Sequence, residues 1–552
     1  MDFKYIIFFA FSSILVFKNS LGILNQTIID ITNMGAIPND NLDDSAAIVK
    51  AFNLPGNNVI YFPSGIYEVD STIEVPSNLS LEGDGVSSVI RRNKFLTHMP
   101  IFKYEDKDNI SINNLNFVGG LYVSTGDSHP GDCILIKNSR NIKITNSTFK
   151  RCTYAGIGLY GNTHHVEISK NNFDDIYMAI GMSKQYLNEL LYPSGPSFVK
   201  ILNNTISNTH TEGIDINEGA QEIVIAQNSF KDIYIRPHDW SHKECIDIQE
   251  VKSIVVTQNT FDLSLKGYDT MGVHLKAKVE KATISQNAFI GGARSTHAIL
   301  VGASREVTIS NNIIMGWNNG ITFHSIGGHS FPEALQGNVV IQGNKISNIR
   351  NSGIFWMSSI LLFNERSHYA VNINISSNLI DGTLNDLPSA IGNGIYLEKT
   401  KNLVISGNEI FGFLNNGILL PDGLYSLEGI YSPRSSQNHV INTNNIHHNS
   451  NAGIKTGIEK SVISTNLIHD NTKFGIIITA NYGVMLNNIL NKNLEQGILM
   501  GVHCDYMNLI SNSVSGSQIG LRRHSNCNGI NLNVVQNILT DNVSNTGGMI
   551  NY

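Results

Sequence analysis

The sequence predicts one right-handed parallel β-helix, on three observations. A short phrase recurs along most of the chain at a minimum spacing of 22 or 23 residues, one Asn falls at the same place in every copy, and the apolar residues around it alternate with a period of two. A repeat of this length with period-2 alternation suits three short strands and three turns per coil, whereas helical repeats would show 3.6-residue apolar faces.

At the N-terminus, Lys4 precedes the apolar run Tyr5 to Phe17, and Ser20-Leu21-Gly22 supplies small residues for cleavage. That run is shorter than the roughly 20 residues a membrane span needs, so residues 1–22 are expected to be a signal peptide and the mature chain to be secreted. Residues 23–100 are expected to hold an N-terminal cap and the first coils, and residues 101–552 the β-helix proper. Within the cap region, Asp43 to Phe52 reads as a short helix, with Asp at the positive end of its dipole. Such a helix would cover the open end of the first coil and its unpaired strand edges.

The coils follow. The phrase appears as IAQNSF (Ile225 to Phe230), VTQNTF (Val256 to Phe261), ISQNAF (Ile284 to Phe289) and ISNNII (Ile309 to Ile314). Its Asn falls at 171, 204, 228, 259, 287, 312, 344, 378, 408, 444, 466, 488, 512 and 537. Asn tolerates left-handed φ and bonds nearby backbone, so each is expected at a tight bend, with side chains hydrogen-bonding along the stack. A second recurring strand begins at Gly156, Ala179, Gly213, Cys245, Gly272, Ala298, Gly320, Gly353, Gly394, Gly417, Gly453, Gly475, Gly497 and Gly520. There the Ile points inward and the next residue outward.

The outward positions of this Gly-Ile strand form a column: Gly158, Gly181, Asp215, Asp247, His274, Leu300, Thr322, Phe355, Tyr396 and Leu419. A second column two residues on contains Tyr160, Ser183, Asn217, Gln249, Lys276, Gly302, His324, Met357 and Glu398. Ionisable groups concentrate on three consecutive coils. Glu212 with Asp215, and Glu244 with Asp247, place four carboxylates on neighbouring turns, which repel unless a cation or shared protons relieve them. All-oxygen donors of this kind suit Ca²⁺. The next coil brings His274, Lys276 and Lys278. Acid–base pairing across exposed strands is the bland explanation, but the longest insertions (Lys184 to Ser197, Lys231 to Lys243, His324 to Asn338, Pro421 to Asn438) flank this same strand and would wall a groove. The Lys231 insertion carries Tyr234, Arg236, His238, Asp239, Trp240 and His242, suited to clamping a carboxylate and stacking on a sugar.

Charged residues are only 15% of the chain, with 38 Lys and Arg against 45 Asp and Glu. The net charge of −7 and the absence of a basic stripe exclude nucleic acid as a partner, and 41% hydrophobic residues exclude global disorder. Five Cys do not make a disulfide scaffold, although Cys504 and Cys527 lie one coil apart, Cys133 and Cys152 could pair similarly, and Cys245 occupies an inward Gly position. Glycosylation sequons occur at Asn25, Asn78, Asn109, Asn146, Asn203, Asn374 and Asn542.

The cap phrases NMGAIPNDNLDD, VIYFPSGIYEV and LSLEGDG resemble the N-terminal cap of secreted right-handed β-helix enzymes of the pectate-lyase superfamily. Glu-x-x-Asp on successive coils, followed by Lys on the next, resembles calcium-dependent pectate lyases, a likeness that implies strand acids holding Ca²⁺ and Lys276 acting as base. TEGIDI and ECI resemble the Asn-Thr-Asp and Asp-Asp motifs of polygalacturonases, with Glu212 and Glu244 in place of Asp, Lys243 in place of the other paired Asp, and no Gly-His-Gly or Arg-Ile-Lys. RPHD (Arg236 to Asp239) is similar to the Asp-Pro-His-Asp of mannuronan epimerases, with Arg for the first Asp.

The expectation is therefore a secreted, monomeric enzyme that cleaves an acidic polysaccharide by β-elimination. Lys276 is the base, His274, Asp215, Asp247, Arg236 and His238 are further catalytic candidates, and Glu212, Asp215, Glu244 and Asp247 are the calcium ligands. Two alternatives stand beside it: a glycoside hydrolase or C5-epimerase built on Asp215 and Asp247, and a non-catalytic glycan-binding solenoid.

Overall fold

The computed structural model describes residues 27–547 except 57, 93–98, 121–130, 185–193, 234–243, 265–268, 325–336, 358–369, 384–391, 399, 422–437, 503, 526 and 528. The expected signal peptide and most of the flanking insertions, including Arg236 and His238, lie outside the described residues. Among the described residues no helix is long and apolar enough to cross a membrane.

Every strand pairs in parallel with its counterparts in the coils before and after it, so the chain winds as a parallel β-helix with three sheet faces. The Gly-Ile face runs through Ala155–Tyr160, Met178–Ser183, Ile214–Ile216, Glu244–Gln249 and Met271–Ser285. A second face follows it in each coil, through Ser197–Leu202, Gln221–Ala226 and Ile254–Thr257. The third carries the residues after the register Asn, in strands such as Thr148–Lys150, Asn172–Ile176 and Thr260–Asp262. The stack begins at Thr27–Asp30, which pairs with Asn58–Phe62, so the helix Ser45–Phe52 interrupts the first coil and does not precede it. Ile48, Ala51 and Phe52 seal the core, with Phe52 set edge-on to Phe102 at 5.7 Å.

Inward residues on the three faces form one continuous apolar column. The residue two places after each register position is apolar, and where it is Phe the rings form an aromatic spine. Phe230, Phe261 and Phe289 stack at 4.8 and 4.5 Å, and Phe117, Phe149 and Phe173 at 5.2 and 4.9 Å. These rings explain the Gly at the start of the Gly-Ile strand. A Cβ at Gly213 would stand 2.6 Å from the Cys245 carbonyl oxygen and 3.1 Å from the Phe230 ring.

The register Asn side chains form an unbroken ladder of fourteen, from Asn171 to Asn537, each Nδ2 donating to the next Oδ1. Their positions differ from expectation in one respect. Positive φ falls on the residue before each Asn (Lys170, Asn203, Gln227, Gln258, Gln286), not on the Asn. The preceding residue makes the bend. The Asn turns its amide inward, where backbone groups left unpaired by the corner need partners. Asn228 Nδ2, for example, also donates to the Ile201 carbonyl at 2.9 Å.

Candidate active site

The outward column of the Gly-Ile face is in the expected register: Gly158 beside Gly181, then Asp215, Asp247, His274, Leu300, Thr322, Phe355, Tyr396 and Leu419. Ile214 and Ile216 are fully buried on either side of Asp215, and period-2 alternation leaves the carboxyl no direction but outward. The second column breaks at one point. The pairing shifts between Ile248 and Gln249, so Gln249 faces Ala277 and Lys276 has no partner position in the earlier strand. This bulge redirects the lysine, whose Nζ lies 3.3 Å from Asp247 Oδ2.

A cleft of about 240 Å³ opens here, lined by Tyr154, Tyr177, Met178, Thr211, Glu212, Asp215, Asn217, Asp247 and Lys276. Outward does not mean bare: Asp247, His274, Leu300 and Thr322 are each less than a tenth exposed, as are Glu212 and Glu244. Beneath the cleft, His274 Nδ1 lies 3.1 Å from Glu244 Oε1 and 3.4 Å from Asp247 Oδ1. Asn217 Nδ2 donates to Asp215 Oδ2 at 2.6 Å.

Burial pushes the Asp215 carboxyl well above the usual carboxylate range, and the charges of Glu212 and Asp247 push it further, against weaker opposition from Lys276 and Asn217. Burial raises Asp247 too, but His274 opposes it next, followed by Glu244 raising and Lys276 lowering. Burial thus raises both carboxyls, but the next influence on Asp215 is the negative charge of Glu212, and on Asp247 it is the opposing His274. Upstream, Asp132 is fully enclosed and raised to about 7 by burial, and it lies against Gly158 and accepts from the Ala155 N–H at 3.2 Å. Downstream, burial lowers His297 to about 4, and His324 is lowered as well.

Of the four carboxylates expected to hold calcium, Glu212, Asp215 and Asp247 line the cleft. Glu244 and Asp247 share the His274 imidazole, and Asp247 also takes the Lys276 ammonium. Among the described residues, the group of acid and imidazole donors lying within 4.8 Å of one another is Glu244, Asp247 and His274. That is a mixed nitrogen–oxygen set, unlike the six to eight oxygens calcium takes. A calcium shell of Glu212, Asp215, Glu244 and Asp247 does not fit the side chains as they stand.

Sequence reasoning missed the cleft's aromatic wall. Tyr154 and Tyr177 stack at 5.9 Å on successive coils. Their signal was legible, since each stands two residues before the Gly or Ala that opens its strand. Phe355 and Tyr396, expected as aromatic platforms, stack on each other at 5.4 Å, half-buried, and the Tyr396 hydroxyl donates to Glu398. Cys245 is buried with its thiol raised by burial, as a packing residue would be. Cys133 pairs with Cys152, and Cys504 with Cys527.

Residues 28–235 match the model of a family described as rhamnogalacturonase A/epimerase, pectate lyase-like, and over that stretch the resemblance to the pectate-lyase superfamily is borne out. The match includes Glu212 and Asp215 and ends before Glu244. The chain is 21% identical over 432 residues to plasmin and fibronectin-binding protein A of Streptococcus pneumoniae, covering 66% of this chain and 55% of that protein. It is 22% identical over 277 residues to the pre-neck appendage protein of Bacillus phage B103, covering 45% and 30%. The chain thus spans about half the length of the first relative and less than a third of the second. Among solved structures, the pre-mature gene product 12 of bacteriophage phi29 is 14% identical with a TM-score of 0.49, covering 92% of this chain and 73% of that one.

Proposed function

We propose that this chain is a polysaccharide-cleaving enzyme that hydrolyses a glycosidic bond, with Asp215 as general acid and Asp247 as general base. The observation that carries the reading is the carboxyl pair, opposed on adjacent coils in surroundings that differ in the sense acid–base catalysis requires. Burial and the neighbouring negative charge raise the Asp215 carboxyl, which favours its role as the acid that protonates the leaving oxygen as the bond breaks. Asp247, beside Lys276 and His274, takes a proton from the attacking water. The stacked Tyr154 and Tyr177 offer apolar surface to a sugar ring. A polysaccharide substrate is supported by the family match at residues 28–235. Two disulfides support action in an oxidising compartment outside the cytoplasm.

β-Elimination with Lys276 as base is the second reading, favoured by the presence of that amine in the cleft. Against it, Lys276 donates to Asp247, and a base must first leave such a partner.

The test is a screen of neutral and acidic polymers with the wild type, Asp215→Asn and Asp247→Asn. Hydrolysis yields new reducing ends on at least one polymer, lost in both variants and unaffected by chelators. Ultraviolet absorbance from an unsaturated uronate would move the assignment to elimination. Binding with no product of any kind would make the chain a glycan-binding solenoid.

A further inference from the structure

The second face of the solenoid, which follows the Gly-Ile face in each coil, loses its charges partway along. Its outward column runs through Lys143, Glu167 and Lys200, and then reaches Val224. From Val224 to Asn533, twelve coils in register, that column holds no Asp, Glu, Lys or Arg. Neither does the outward column two residues on, from Ala226 to Val535, nor the turn position after it, from Gln227 to Gln536. Charged residues are 15% of the chain, so three columns of twelve surface positions should hold about five. The turn at the opposite end of the same strands keeps its charges, at Glu222, Lys281, Glu306 and Lys460. Apart from the buried Ala226, every residue of the three columns is partly or largely exposed. Val or Thr fills nine of the twelve positions in the Val224 column. Several polar groups of the face already bond to one another. Gln227 Nε2 donates to Gln258 Oε1 at 3.2 Å, Gln258 Nε2 to Gln286 Oε1 at 3.3 Å, and the Thr257 and Ser285 hydroxyls lie 3.2 Å apart. Polar groups paired in this way lose little when water leaves the surface.

We propose that a second copy of this chain covers this face, the two solenoids lying antiparallel about a two-fold axis parallel to the strands. That operation sets each column against itself, β-branched side chains against β-branched and uncharged turn against uncharged turn, and no like charges meet. Depletion of charge is the compositional mark of the centre of a protein interface. Twelve coils at about 4.8 Å and three residues at about 3.3 Å give each copy a footprint of about 55 Å by about 10 Å. The two copies together cover roughly 1,100 Å², above the about 1,000 Å² that a specific interface needs. Tyr482 and Tyr506, exposed and stacked at 4.7 Å on the turn bordering the last coils, extend the surface with a residue type that interfaces favour. A sugar polymer is the poorer occupant, because the three columns hold no aromatic ring to stack on a pyranose and no cation to pair with a uronate. The cleft lies on the Gly-Ile face, so a dimer carries two of them, where the sequence led to the expectation of a monomer.

The test is sedimentation equilibrium of the full-length protein, made in bacteria so that Asn374, in a sequon on this face, carries no glycan. A mass of two chains is expected at micromolar concentration. Val340→Lys combined with Val440→Lys places an ammonium on each half of the face and should raise the dissociation constant at least about a hundredfold. Ile313→Lys combined with Leu379→Lys, at outward positions of the third face, should leave the wild-type mass unchanged. All four substitutions fall on outward side chains, and circular dichroism with thermal melts checks that the variants fold. A wild type that stays at the mass of one chain up to its highest soluble concentration, or a Val340→Lys/Val440→Lys variant with the wild-type dissociation constant, overturns the proposal. A monomer that sediments with insoluble polysaccharide and is released by those two substitutions would overturn it in favour of a glycan-binding surface.

Discussion

Asp215→Asn preserves the shape of the side chain, and its amide oxygen can still accept from Asn217 Nδ2, which now donates to Oδ2 at 2.6 Å. What it removes is the transferable proton and the buried charge. Losing a general acid costs about 10²–10⁴-fold in rate, or about 3–5 kcal/mol in the barrier, so kcat should fall by that factor with KM little changed. Stability should move the other way. The folded-state pKa of Asp215 lies above its unfolded value, so the folded form binds the proton more tightly. Its contribution is therefore complete below the unfolded carboxyl range and is lost as pH rises toward the folded pKa. The Asn variant escapes that loss. Its Tm should match the wild type near pH 4 and exceed it near pH 8, in paired thermal melts alongside kinetics on the polymer found by the screen. A variant that keeps more than about a tenth of wild-type kcat, or that melts lower at pH 8 than at pH 4 relative to wild type, refutes the reasoning.

Asp132, fully buried and raised to about 7, gives the same sign with a magnitude: between pH 4 and pH 7 it costs the wild type roughly 4 kcal/mol, which Asp132→Asn should recover in urea melts at pH 8. Asn312→Ala in the ladder should destabilise by about 3–5 kcal/mol by urea midpoint, because Asn287 N and Nδ2 and the Ile284 carbonyl all lose partners in a buried corner. Lys276→Ala should lower kcat while leaving measurable turnover with unchanged products; complete loss would favour its role as the base. Tyr177→Ala should raise KM more than it lowers kcat, since it removes stacking surface and no reacting group. Tyr396→Ala should weaken binding of long chains and spare short ones, and a large fall in Tm with equal losses on both would assign the residue to packing.

The solenoid was legible because its signals are periodic. The fourteen Asn recur at one place, and period-2 alternation alone sets Asp215, Asp247 and His274 in one column. Two site features depend on departures from the period and were not legible. The bulge after Ile248 adds a residue that no repeat announces, and it takes Lys276 out of the Gln249 column and onto Asp247. The pairing of Glu244 with His274 crosses coils between positions three residues out of register, which only the stacked backbone reveals. The calcium expectation rested on counting carboxylates in sequence, while the structure shows two of them already engaged by basic side chains. The corner residue Asp132 lies outside the alternating strands, where period-2 reasoning says nothing about direction, whereas Tyr154 and Tyr177 were legible from their place two residues before each strand's Gly or Ala.

Cleavage carried out in heavy-oxygen water, with products weighed by mass spectrometry, tests the central claim most directly. Hydrolysis by Asp215 and Asp247 places one solvent oxygen in each newly formed reducing end, and Asp215→Asn should abolish that incorporation. Products lighter by one water and free of solvent oxygen would contradict the account and establish elimination in its place.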